Sequence, residues 1–248
     1  MKTIIGIIPA RYASTRFPGK PLVGINGKSM IQRVYTQAQK AKSLSEVIVA
    51  TDHAAIEDEV KIFGGKVCLT SSAHPSGTDR CAEVLTKLNL SCDAIINIQG
   101  DEPFIDPRQI DLLSACFDDP RTQLATLIKK ISSREVLFNP NSPKVIVDSE
   151  HFAIAFSRHP IPFIRGYEED EWLSRHTFFQ HIGIYGYLVD TLKKITSLPT
   201  SSLEKAESLE QLRWLENGFR IKTAITPYET VAIDTPEDLE KVLRRGVA

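Results

Sequence analysis

The sequence predicts an α/β fold with a mostly parallel central sheet, helices on both faces, and a β-rich arm in the second half. Two features carry this expectation. In the first half, short apolar runs alternate with amphipathic stretches four times in succession, the pattern of strand–helix units wound in one direction. In the second half that rhythm gives way to hairpin-like strands broken by proline-rich segments. The 248 residues suit one domain spanning 1–248, with the arm inserted at roughly 123–188.

The elements follow in order. Ile4, Ile5, Ile7 and Ile8 form a strand that is apolar nearly throughout because both faces are covered. Ser29 caps a helix whose apolar stripe is Ile31, Val34, Tyr35, Ala38 and Ala41. Val47–Ala50 is the second strand. Ile56, Val60 and Phe63 mark a helix that Gly64-Gly65 can end through positive φ. Lys66–Leu69 is a strand, Val84, Leu85 and Leu88 lie on a helix, and Ala94–Ile98 is the fourth strand. Pro107 suits the first turn of the helix after it. In the arm, Gln123–Ile131, Lys144–Asp148 and His151–Arg158 read as strands, interrupted by the prolines of 139–143 and 159–162. Ile182–Val189 is a further strand. Leu203–Asn217 is one amphipathic helix with Gly218 as C-cap, and Ile221–Ile225 and Thr230–Ile233 are late strands. Thr235 caps a last helix with Pro236 at its first position, acids in its first turn and Lys241, Arg244 and Arg245 near its end, as the helix dipole favours.

Thirty basic and 31 acidic residues give a net charge of −1, which carries no footprint of a nucleic-acid or membrane partner. An anionic ligand therefore needs a local basic cluster. Cys68, Cys81, Cys92 and Cys116 form no CxxC pair and have no histidine at zinc-site spacing, so free thiols are expected. With no signal-like segment and no long apolar run, a cytoplasmic location is expected.

The basic cluster lies in the loop after the first strand. Arg11, Arg16 and Lys20 fall within ten residues, among the small residues Ala13, Ser14 and Gly19. Small residues let backbone N–H groups approach a phosphate while the cations neutralise it, and the carboxyl end of a central strand is where open parallel sheets bind ligands. A solvated surface loop is the competing reading. GxxxxGK[ST] is absent, so this is no Walker loop. At the end of the fourth strand, Gly100 and Pro103 bracket Asp101 and Glu102. Asp101 suits either magnesium, which takes one or two carboxylates plus substrate oxygens, or a turn cap. Asp234, before the last helix, has the same two readings.

The loop IPARYASTRFPGKPL resembles the sugar-nucleotidyltransferase pattern PARxxSxRxPxKxL, and is similar almost position by position to the 3-deoxy-manno-octulosonate cytidylyltransferase family. VIVATDH, HPSGTDR, INIQGDEPFI, FNPNSPKVIVD, FSRHPIP, HIGIYGY, LEKAESLEQLRWLENG and VAIDTPEDL extend the match along the chain. The resemblance implies a Rossmann-like nucleotidyltransferase fold. It implies transfer of CMP from CTP to the C2 hydroxyl of 3-deoxy-D-manno-octulosonate (Kdo), giving CMP-Kdo and pyrophosphate for lipopolysaccharide biosynthesis.

Residue by residue, the resemblance implies that Arg11, Ser14, Arg16 and Lys20 line the triphosphate, with Pro9 and Ala10 in the same nucleotide loop. Arg16 and Lys20 then serve the departing pyrophosphate. Ser76, Gly77 and Thr78 lie against cytosine and ribose, with Thr78 also expected as the helix cap. Arg80 faces a phosphate or carboxylate, or pairs with Asp79. Asp101 and Asp234 hold Mg2+ and are catalytic through it. Gln99, Arg158, His181, Tyr185, Glu210 and Gln211 approach Kdo. Tyr187 follows on the same strand face as His181 and Tyr185, as packing. The resemblance further implies a homodimer built through the arm. Two other readings stand beside it: a cytidylyltransferase for a C8-modified Kdo or other sugar acid, and a non-catalytic nucleotide-binding regulator on the same fold.

Overall fold

The computed structural model describes residues 2–13, 17–229 and 232–244. The chain divides into two compact units, Met1–Ser114 with Tyr228–Ala248, and Ala115–Pro227.

The first unit opens with β1 (Ile4–Ala10) and then a small hairpin, β2 (Gly24–Ile25) with β3 (Lys28–Ser29). Asn26 and Gly27, at φ 46° and 81°, form the two-residue turn that the twist of a hairpin favours. α1 (Met30–Ala38) follows, its start fixed by the Gln32 N–H donating to Ser29 Oγ at 3.2 Å. Ala41 lies beyond the end of α1 yet is buried. Next come β4 (Leu44–Thr51), α2 (Ala54–Ile62), β5 (Lys66–Leu69), α3 (Gly77–Lys87), β6 (Ala94–Asn97) and α4 (Pro107–Ala115). The strands pair β6–β1–β4–β5, parallel throughout. β1 is hydrogen-bonded on both sides, and its run is apolar because side chains on both of its faces are covered; Ile7 and Ile8 are fully buried. Ala10 pairs with Thr51 and Ile7 with Asn97, so the carboxyl ends of β1, β4 and β6 share one edge.

The second unit begins with a 3-10 turn, Cys116–Asp118, and β7 (Leu124–Lys130). It continues through α5 (Arg134–Phe138), β8 (Lys144–Val147), β9 (Ala153–Ser157), α6 (Trp172–Arg175) and β10 (Phe179–Leu188). α7 (Val189–Thr196), α8 (Ser202–Glu207), α9 (Glu210–Glu216) and β11 (Ile221–Ile225) complete it. β10 is antiparallel to β7 and β8, and β8 to β9, while β11 runs parallel to β7. The strands expected in the arm all fall in this unit, and Trp172, in the charged 165–175 segment, is buried with Ile131, Leu137 and Phe178.

The chain returns to the first unit with α10 (Pro236–Arg244). Thr235 Oγ1 accepts the Asp238 N–H at 3.3 Å, and the Asp238 carboxylate accepts the Thr235 N–H at 3.2 Å, a reciprocal cap. Ile233 and Val242 pack with Ile25 and Met30. No disulfide links Cys68, Cys81, Cys92 and Cys116. Among the described residues no helix is long and apolar enough to cross a membrane.

Two expected elements differ. Leu203–Asn217 is two helices, because Ser208 takes a left-handed conformation (φ 50°) between α8 and α9. Arg158 explains the break. Its guanidinium takes the carbonyls of Glu207 and Ser208, at 2.6 and 3.1 Å, out of the helical ladder. Of the expected strand Thr230–Ile233, Thr230 and Val231 lie outside the described residues, and Ala232 and Ile233 are not in a strand.

Candidate active site

Close backbone approaches assemble a site at the carboxyl edge of the first unit's sheet. A Cβ on Gly100 would lie 2.7 Å from the Pro9 carbonyl oxygen, so only glycine lets the loop after β6 sit against the end of β1. A Cβ on Gly77 would lie 3.3 Å from Pro9 Cγ, which brings the start of α3 to the same point. The Ile233 N–H donates to the Asp101 carbonyl at 2.9 Å and carries Asp234 there. Between these segments is a cavity of about 360 Å³, within the range of small-molecule sites.

The nucleotide-loop residues Pro9, Ala10, Arg11 and Lys20 all line this cavity, and Pro21 joins them. Ser14 and Arg16 lie outside the described residues. The loop closes on itself where the Gly19 N–H, at φ 70°, donates to the Tyr12 carbonyl at 3.0 Å. Tyr12 stacks on His53, with centroids 4.1 Å apart and planes at 16°. A short 3-10 turn then delivers Lys20, whose Nζ donates to Asp101 Oδ2 at 2.8 Å and Asp234 Oδ1 at 3.1 Å.

That ammonium tests the site for a metal. Two carboxylates from segments far apart in sequence converge on one cation, the donor set that magnesium completes with substrate oxygens. Among the described residues no group of three or more His, Cys, Asp or Glu could hold a metal without such help. Next to Asp101, Glu102 is buried with Oε2 unpartnered; burial and the Asp101 charge push its carboxyl up to about 8.

Ser76 and Gly77 line the cavity, but Thr78 is buried outside its lining. The cap is Ser76, whose Oγ accepts the Asp79 N–H at 3.2 Å and donates to Asp79 Oδ2 at 2.6 Å. The expectation that Thr78 caps this helix is therefore corrected. Both hydroxyls are competent, and the helix starts at Gly77, two residues earlier than a Thr78 cap would place it. Arg80 lines the cavity and pairs with Asp52 at 3.0 Å and with Thr70 Oγ1, since Asp79 is engaged in the cap. Gln99 also lines the cavity.

The other five residues expected for the sugar acid belong to the second unit. β10 bulges between Ile182 and Tyr185, and the single hydroxyl hydrogen of Thr126 is shared there between the carbonyls of Ile182 and Ile184, at 3.1 and 2.8 Å from Oγ1. The bulge absorbs two residues, so it preserves the alternation. The rings of His181 and Tyr185 lie 5.2 Å apart, and those of Tyr185 and Tyr187 6.2 Å apart. His181 Nε2 is 2.9 Å from Thr126 Oγ1, and burial lowers its pKa to about 3. Burial raises the Tyr185 phenol well above its ordinary value. Both are neutral throughout the physiological range. Gln211 is buried with its amide nitrogen unpartnered, and Glu210 precedes it in the first turn of α9. Each guanidinium nitrogen of Arg158 donates to a carbonyl, the third being Pro140 at 2.9 Å.

Four side chains around the cavity were not singled out by the sequence: Asp52, His53, His74 and Glu83. Asp52 and His53 follow β4, the strand beside β1, and the strand-end rule that drew attention to Arg11 applies to them equally.

A parallel sheet with a basic loop and two converging carboxylates at its carboxyl edge defines a nucleotide-handling α/β protein. A family profile described as cytidylyltransferase matches residues 5–224. A 3-deoxy-manno-octulosonate cytidylyltransferase from Parabacteroides distasonis is 58% identical over 98% of both chains. One from Cytophaga hutchinsonii is 59% identical over 97% of this chain and 96% of its own. The structure of CMP:2-keto-3-deoxy-manno-octonic acid synthetase complexed with CTP superposes with a TM-score of 0.90 at 44% identity, covering 98% of each chain. The chain belongs to the 3-deoxy-manno-octulosonate cytidylyltransferase family.

Proposed function

We infer that this protein transfers CMP from CTP to the C2 hydroxyl of Kdo, releasing pyrophosphate and supplying an activated sugar acid for lipopolysaccharide assembly. The observation that carries the reading is Lys20, Asp101 and Asp234 meeting at the cavity that Pro9, Ala10 and Arg11 also line. The family membership and the CTP-bound neighbour support it.

Attack on the α-phosphate brings an oxygen nucleophile up to a polyanion, so charge neutralisation and positioning do most of the work. Arg11 and Lys20 supply positive charge on the nucleotide side, with Lys20 placed to follow charge onto the leaving pyrophosphate. Asp101 and Asp234 are the residues that would hold Mg2+. Bound there, the metal supplies Lewis-acid activation of the attacking hydroxyl. Ser76 and Gly77 border the nucleoside. Gln99 lies at the cavity, and Arg158, His181, Tyr185, Glu210 and Gln211 are assigned to the acceptor. His181 and Tyr185, both neutral, select by shape and uncharged hydrogen bonds. We further infer a cytoplasmic homodimer formed through the 123–188 region. Light scattering at micromolar concentration should give about twice 27.7 kDa, and a stable monomer mass would remove that inference.

The reaction is tested by following an α-phosphorus label. With CTP, Mg2+ and Kdo, the label should appear in a sugar nucleotide with none in pyrophosphate. Label recovered as free CMP, with no sugar adduct, would show hydrolysis and remove Kdo as acceptor.

A further inference from the structure

His74 lines the cavity, just before the cap of α3. Its Nε2 is held by Glu83 Oε2, from the second turn of α3. The same carboxylate oxygen accepts the Ser71 N–H at 2.8 Å, and Lys87 lies 3.9 Å from the other oxygen. Burial raises the Glu83 carboxyl, but the Ser71 N–H, His74 and Lys87 outweigh it, and the group stays below the ordinary carboxylate range. An ionised carboxylate only accepts hydrogen bonds, so Nε2 carries the ring hydrogen. In the neutral ring Nδ1 is the lone-pair acceptor, and it has no partner among the described residues. A carboxylate that fixes the tautomer and orientation of an imidazole is a recurring device in functional sites.

An acceptor nitrogen at this cavity selects its ligand. It repels phosphate oxygens, which offer no hydrogen. The nucleoside half of CTP offers two kinds of donor, the 4-amino group of cytosine and the ribose hydroxyls. We propose that His74 is a specificity-determining contact for the nucleoside of the bound nucleotide, accepting a hydrogen from the 4-amino group or from the ribose 2′-hydroxyl, and that Glu83 is its positioning residue. The inference rests on the reading of this cavity as the CTP site.

The test is calorimetric titration of CTP, UTP and 2′-deoxy-CTP, without sugar acid, into the full-length protein and its variants. His74→Phe should weaken CTP about tenfold, the size of one lost hydrogen bond to a partner of this kind. It should weaken one of the two analogues much less. A spared UTP assigns the contact to the amino group, and a spared 2′-deoxy-CTP assigns it to the ribose 2′-hydroxyl. Glu83→Ala should reproduce part of the loss, Glu83→Gln, which keeps an acceptor for Nε2–H, should restore the discrimination, and Glu83→Ala should add nothing in the His74→Phe background. His74→Gln serves if the phenylalanine variant is unstable. Equal losses for all three nucleotides, or no loss, would overturn the proposal. Additive effects of the two substitutions would remove Glu83 as the positioning residue. Wild-type protein that binds none of the three would overturn the CTP reading itself.

Discussion

The two units handle polarity in opposite ways. At the first unit's cavity, charge is collected and balanced: Lys20 between Asp101 and Asp234, and Arg80 against Asp52. In the second unit, three of the five residues assigned to the acceptor are buried and neutral, beside the charged types Arg158 and Glu210: His181 with a pKa of about 3, Tyr185 raised, and Gln211 with an unpartnered amide. The difference matches the chemistry of the two substrates. A triphosphate needs charges it can exchange, and paired side chains can change partners at little cost. A sugar with many hydroxyls is selected by neutral donors and acceptors, which discriminate strongly because an unmatched buried group is expensive.

The comparison can be broken at its strongest point first. Asp101→Asn keeps the shape and removes one of the two charges that hold the cation. Turnover at saturating CTP and Mg2+ should fall about a thousandfold, in the range of lost electrostatic stabilisation. Steady-state kinetics checks this, and a loss under tenfold would detach Asp101 from the charge-handling half.

Glu102 sharpens the comparison, because it is a neutral acid beside the charged pair. Its folded pKa, about 8, is above the ordinary 4.5, so the folded state holds the proton longer than the unfolded state. Stability should therefore fall as pH rises from about 4.5 to about 8. Glu102→Gln should remove this slope in metal-free protein, with a gain at pH 8 on the order of 4 kcal/mol. Denaturant melts across that window check it, and parallel curves for variant and parent would contradict it.

His181→Phe tests the neutral half. It should raise KM for Kdo about tenfold and leave KM for CTP unchanged. In the parent, KM for Kdo should show no step near pH 6.5, because His181 does not titrate there. The same depressed pKa makes stability fall as pH drops from 6.5 towards 3, since the unfolded chain takes up the proton first. The smallest effect is expected at Tyr12→Leu. Losing the stack on His53 should raise KM for CTP about threefold, in keeping with an exposed aromatic pair.

Much of the first unit was legible because its signals are local. An apolar run reports a strand covered on both faces, and a strand end followed by Arg11 or Gly100-Asp101 reports the ligand edge. The convergence of Lys20, Asp101 and Asp234 followed from the family resemblance together with those positions. What escaped depends on side chains meeting across long separations. Asp52 reaches Arg80 and Tyr12 stacks on His53, with no period or spacing to announce either pair. The break between α8 and α9 was hidden for the same reason, because Arg158, some fifty residues earlier, decides the Ser208 conformation. Ser76 rather than Thr78 as the cap was a choice between two competent hydroxyls, settled only by where α3 begins.

Pyrophosphate release tests the reaction most directly. The purified protein should be given CTP and Mg2+ with Kdo, 8-amino-Kdo, N-acetylneuraminate or no acceptor. Release with Kdo alone is the expected result. Release confined to 8-amino-Kdo or N-acetylneuraminate would move the specificity to a different sugar acid, and no release with any acceptor would contradict a catalytic role for this site.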